Sequence, residues 1–148
     1  MRTHILAILL LVLVGCTHVG TPRAAPPTIR GFTLDAAATA CLDWAWSVRR
    51  FREVAGGVLI DPHGHLVCSP LTIGTRTAVW YTLRATWLVH FHTHTIRGTY
   101  LSQADRRAVR DVDPMRRPGY MRQPNGTIWV YECYLQHEYP ICGTRKVR

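Results

Sequence analysis

His92-Thr93-His94, then seven residues, Ser102, two residues and Asp105 supply two imidazoles, a hydroxyl and a carboxylate over one short stretch. Those groups suit a hydrolytic zinc site: neutral nitrogen ligands, an anionic oxygen ligand and a hydrogen-bond donor. Two His at i and i+2 on a strand project from the same face, because successive strand side chains alternate. A helix beginning near Ser102 would return Asp105, one turn in, toward the same point. Three protein ligands (His92, His94 and Asp105) leave a fourth tetrahedral position for water, which separates a catalytic zinc from a structural one. One Zn²⁺ per chain is therefore expected, although a His₂Asp set could also host Fe²⁺ or Co²⁺. His90 shares the strand face, but only His92 and His94 give the seven-residue interval to Ser102. His90 is open to three roles, a donor behind the ligands, a substrate contact or an ordinary exposed strand histidine, and the last is the default expectation.

The elements that must position these groups follow from pattern. Thr33 is a natural N-cap, with Asp35 in the first turn, for a helix running to about Arg50. Leu34, Ala38, Cys41, Leu42, Ala45 and Val48 fall near helical spacing and would face a sheet. Trp44 and Trp46 cannot both share that face. Val54 to Ile60 reads as a buried strand, Asp61-Pro62-His63-Gly64 as a turn, and His65 to Ser69 as a short returning strand. Thr75 to Leu83 and Thr86 to His94, rich in β-branched and aromatic residues, read as a hairpin pair. Ser102 to Asp111 reads as a short helix with Ser102 as N-cap. After a loop with Pro114 and Pro118, Gly119–Arg122 and Thr127–Tyr131 form a hairpin around Pro124-Asn125-Gly126. The expected fold class is α+β: a mixed sheet with a long N-terminal helix packed on it and a short helix beside the metal site.

The ends carry other information. Arg2 followed by the apolar run Ile5–Val14 reads as an export signal over residues 1–15, too short for a stable span. Leu13-Val14-Gly15-Cys16 resembles the lipobox of bacterial lipoproteins, which implies lipidation of Cys16 and anchoring by acyl chains. Thr17 after that Cys implies, by the same likeness, the outer membrane, with the domain facing the periplasm. Residues 16–31, with three prolines and no apolar periodicity, read as a tether. The catalytic domain is expected over 32–132 and a basic, disulfide-stapled tail over 133–148. Cys41, Cys68, Cys133 and Cys142 form an even set in an exported chain and read as two disulfides, with three connectivities open. A local Cys133–Cys142 staple is favoured, which leaves Cys41–Cys68 to tie the helix to the sheet. The formal charge of +9 draws such a domain to anionic envelope polymers and lipid phosphates. Nucleic acid is not expected as a partner of an exported, lipid-anchored protein.

The His-x-His, Ser-x-x-Asp spacing resembles the JAMM (JAB1/MPN/Mov34) metallopeptidase motif, whose glutamate lies upstream on a separate strand. Glu53, before Val54-Ala55-Gly56-Gly57-Val58-Leu59-Ile60, is the position that matches. The order Ala36-Ala37-Ala38, Glu53, His92-Thr93-His94, Ser102/Asp105, Pro124-Asn125-Gly126 is closer still to a bacterial JAMM-like domain family of unknown function found in Rhs-type toxins. The resemblance covers roughly residues 33 to 132. The proline that follows the second His in many eukaryotic members is Thr95 here, which weakens transfer of their substrate class. The likeness implies a JAMM/cytidine-deaminase-like architecture, Glu53 as general acid–base and Ser102 as a donor to the developing oxyanion.

Three readings thus stand at this stage. A zinc-dependent peptidase or isopeptidase of the cell envelope would act on a peptide or isopeptide bond, in peptidoglycan or in an envelope protein. A non-catalytic adaptor lipoprotein would keep the scaffold without that role, and a toxin-associated role, as effector or self-processing factor, is the further alternative that the likeness implies. Helix capping alone accounts for Ser102 and Asp105; it does not account for the joint spacing with His92, His94 and Glu53.

Overall fold

The computed structural model describes residues 25–29, 33–96, 100–136 and 139–148. The export signal and Cys16 lie outside the described residues, and of the tether only 25–29 is described, without regular structure. Helix α1, Leu34–Val48, is capped by the Thr33 hydroxyl, which accepts from Ala36 N at 3.2 Å. It stops short of Arg50 because Arg49 already has non-helical angles (φ −146°, ψ 61°). Among the described residues seven strands follow in one mixed sheet: β1 Val54–Ile60, β2 Leu66–Cys68, β3 Thr72–Ile73, β4 Val89–Thr93, β5 Gly119–Arg122, β6 Ile128–Gln136 and β7 Tyr139–Lys146. Their order is β2-β1-β4-β5-β6-β7, with β3 also paired to β1. Among the described residues no helix is long and apolar enough to cross a membrane.

One pairing decides where the site forms. β4 and β5 are parallel, whereas the neighbouring pairs are antiparallel. Parallel neighbours need a crossover connection. Here it carries helix α2, Gln103–Arg107, and a π-helical turn over Ala108–Val112. Val109 on that turn and Leu101 before it pack with Met121 and Tyr131 of the sheet. The crossover therefore lies against the face opposite α1. Register puts Ala55 beside His92 and Gly57 beside His90, and on β5 Met121 beside His92 and Gly119 beside His90. By alternation these all belong to the crossover face, and Glu53, two residues before Ala55, joins them. Val54, Val58, Val89, Phe91, Tyr120, Ile128 and Val130 form the other face and meet Ala38, Cys41, Leu42 and Ala45 of α1. Trp44 is buried there too, while Trp46 sits at the edge under the Arg122 guanidinium, 4.7 Å from the ring centroid.

Three expectations need correction. Thr75–Leu83 does not pair as a strand; β4 has β1 on one side and β5 on the other, so no edge remains for it. Instead residues 74–88 run as an irregular segment over the crossover face. The expected helix Ser102–Asp111 is five α-helical residues continued by the π-helical turn. The chain beyond Cys133, read as a tail, completes β6 and forms β7. Both disulfides form in the favoured pairing: Cys41–Cys68 joins α1 to β2, and Cys133–Cys142 links directly opposed residues of β6 and β7. Acidic residues of α1 meet the basic C-terminal strand: Asp35 accepts from Arg145 at 2.9 Å, and Asp43 from Arg148 at 2.7 Å and Arg122 at 2.9 Å.

Candidate metal and hydrolytic site

His92 Nε2 and His94 Nε2 lie 2.9 Å apart, and both face the Asp105 carboxylate, at 3.2 Å and 3.7 Å respectively. Each element contributes for a local reason. β4 projects His92 by alternation, and His94 follows just past the strand end with its N–H held by the Arg122 carbonyl at 2.9 Å. The Thr95 hydroxyl donates to the Arg76 carbonyl, which fixes the exit of the chain. Asp105 is set by a capping box: its N–H donates to Ser102 Oγ at 3.2 Å, and the Ser102 N–H donates to Asp105 Oδ2 at 2.6 Å. The cap that starts α2 is thus also what aims the carboxylate.

The three residues each offer one donor atom within 4.8 Å of the others and could hold a metal ion. The donor set can be tested on geometry. Ligands about 2.0–2.1 Å from a tetrahedral centre stand about 3.3 Å from one another. The observed 2.9, 3.2 and 3.7 Å bracket that spacing. Electrostatics agree. Burial, with the neighbouring His92, pushes the His94 pKa down to about 4 against the opposing pull of Asp105. A metal ligand must be the neutral imidazole. Burial alone would raise Asp105, but hydrogen bonds from His92 and Ser102 hold its carboxyl well below the usual range. It stays an anion.

Glu53 immediately precedes β1, is 9% exposed and lines the same cavity as His92, His94, Ser102 and Asp105. Its backbone is fixed on both sides, by Glu53 N to the Thr75 carbonyl at 2.7 Å and Gly74 N to the Glu53 carbonyl at 2.8 Å. Among the described residues no hydrogen bond engages its carboxylate. Burial raises its pKa and Asp105 adds to the rise, against the charge of His92. A buried carboxyl with a raised pKa beside a ligand cluster suits proton transfer.

The sequence alone did not reveal Tyr81 or the true state of His90. His90 is 2% exposed rather than solvent-facing, since β5 and the crossover cover it. Its Nδ1 is 2.9 Å from the Tyr81 hydroxyl, and its Nε2 has no hydrogen-bond partner among the described residues. A Cβ at Gly119 would come within 2.6 Å of the His90 ring, so glycine is what lets the imidazole lie flat on β5. Burial pushes the His90 pKa down to about 4 and the Tyr81 hydroxyl above its ordinary range. Tyr81 lines the site cavity from the irregular segment. That segment is pinned from below by a buried pair: Arg117 donates to Asp113 at 2.8 and 3.0 Å and to the carbonyls of Arg84 and Trp87 at 2.6 and 2.8 Å. The i, i+2 spacing of His90 to His92 was a signal for His90; no local pattern marked Tyr81.

Comparison with protein-family models, with curated proteins and with solved structures gave no match, and the functional reading rests on the geometry above.

Proposed function

We propose that the chain is a zinc-dependent, JAMM-type metallopeptidase or isopeptidase of the bacterial cell envelope. The observation that carries this reading is the convergence of His92, His94 and Asp105 in one cavity with the buried carboxylate of Glu53. Zinc held by that triad would supply Lewis acidity toward the scissile carbonyl and lower the pKa of a bound water toward neutrality. Glu53 takes the proton of the attacking water and returns it to the leaving amine nitrogen; its raised pKa brings the two transfers closer in energy. The Ser102 hydroxyl donates to the carbonyl oxygen as charge develops there. Its lone pair meanwhile keeps the Asp105 N–H, so capping and catalysis do not compete. The amide belongs to a peptide or an isopeptide, in peptidoglycan or an envelope protein. Lipidated Cys16 and the tether hold the domain at the outer membrane, where its positive charge favours anionic polymers.

The test is hydrolysis of peptide and peptidoglycan-fragment mixtures by the zinc-loaded full chain beside Glu53→Gln. The variant should keep its zinc and lose about 10²–10⁴-fold in rate. Equal turnover by both proteins removes Glu53 from the chemistry. Bound zinc with no turnover by either favours the adaptor lipoprotein.

A further inference from the structure

A second cavity, of about 640 Å³, opens between the irregular segment and the crossover. It shares Val79, Trp80, Tyr81, Ala104 and Asp105 with the site cavity, so the two lie side by side with Asp105 lining both. One wall is small by sequence: Ala104 and Ala108 present methyl groups where longer side chains would fill the space. Among the described residues two charged ones line it, and both are already engaged. Asp105 faces His92, His94 and the Ser102 cap. The Arg117 guanidinium is engaged by Asp113 and by the carbonyls of Arg84 and Trp87. At the mouth stand Trp80, Val112 and Met115, respectively 77%, 67% and 65% exposed. Clustered apolar exposure of this kind marks a binding surface more often than an accident. The volume lies within the roughly 300–1,000 Å³ range of ligand pockets.

We infer that this cavity is a specificity pocket for a large apolar side chain, aromatic or branched aliphatic, on a substrate residue flanking the amide that is cleaved. The adjacency follows from the shared Asp105: a side chain seated against Ala108 leaves its own backbone amide beside the ligand cluster. A charged side chain gains little here, because the two charged residues lining the pocket among the described residues are already engaged and its desolvation goes uncompensated. The role as specificity pocket rests on the hydrolytic reading; the ligand preference does not.

The experiment therefore reads binding and cleavage separately on the purified full chain, zinc-loaded and with disulfides intact. Binding of the N-acetyl amides of Phe, Leu, Ala and Lys is followed by backbone amide shifts. The Phe and Leu amides should bind at least about tenfold more tightly than those of Ala and Lys, a gap of about 1.4 kcal/mol. The shifts should centre on Tyr81, Ala108 and Val112. Ala108→Phe, which fills the pocket, should abolish that preference with zinc content unchanged. Met115→Asp, at an exposed site, should weaken it should the filled variant fail to fold. In a peptide library the wild type should then cut beside Phe, Tyr, Leu or Ile. Equal binding of all four amides, or an unaltered preference in both variants, overturns the pocket. Cleavage without apolar preference overturns it and keeps the hydrolase. Selective binding without cleavage of any peptide keeps the apolar site and overturns the hydrolytic reading beneath it.

Discussion

Val58, Phe91 and Val130 on one face of the sheet, and Ala55, His92 and Met121 on the other, are separated by a single backbone layer, yet the two sides are organised differently. The α1 side is apolar apart from the hydrogen-bonded hydroxyls of Thr93 and Tyr120 and is closed by Cys41–Cys68, with its ion pairs at the rim. The crossover side buries Glu53, His90, His92, His94, Asp113 and Arg117 and leaves two neighbouring cavities. An apolar face is stabilised by area and packing and needs no particular partner. A polar face must satisfy each group individually, and here Arg117 does so for Asp113 while Asp105 and the histidines answer one another. The first face supplies stability; the second brings together His92, His94 and Asp105, a group that could hold a metal ion.

The contrast can be broken or sharpened by mutation. Arg117→Ala should have the largest effect on stability, about 3–5 kcal/mol, because it strands the buried Asp113 carboxylate. Denaturant unfolding measures this, and a loss under about 1 kcal/mol would mean that water replaces the guanidinium. Leu42→Ala, wholly on the apolar side, should cost about 2–5 kcal/mol and leave zinc binding intact. Loss of metal in that variant would show that the two faces are not separable.

Acid should weaken the polar side in a defined direction. Burial alone would raise Asp113, but Arg117 and the Met115 and Arg117 amides hold its pKa below the ordinary value. Its contribution is thus complete above the unfolded value of about 3.9 and is lost as pH falls through the lower folded value. Unfolding followed from pH 7 to pH 3 should show this loss only below about pH 4, and Asp113→Asn should flatten that part of the curve. The smallest effect belongs to Glu53→Gln in the metal-free protein. Its folded pKa is raised, so the carboxylate costs stability at neutral pH, and the variant should match or exceed the wild type by up to about 1 kcal/mol. A clear loss would make Glu53 a structural residue.

How much of this was legible in the sequence varied with the range of the interactions. The convergence of His92, His94 and Asp105 was readable because each step is local: alternation aims His92, and the Ser102 cap aims Asp105 three residues on. Val54–Ile60 was readable because an apolar run bounded by a turn leaves few alternatives. Thr75–Leu83 misled because β propensity reports a fit to a half-buried surface, not the presence of a free sheet edge. Its aromatic residues serve instead to roof the site. β7 was hidden by Pro140, Gly143, Arg145 and Lys146, residues that are unfavourable in a central strand and tolerated at an edge. Burial of His90 depends on Gly119 and Val109, nearly thirty and twenty positions away, which no local pattern encodes.

The central claim is a metal centre built from His92, His94 and Asp105. Elemental analysis of the oxidised full chain, beside His94→Ala, tests it most directly. One zinc per chain in the wild type, lost in a variant that still folds, is the predicted result. A well-folded wild type that takes up no metal, even after zinc is added, would contradict it.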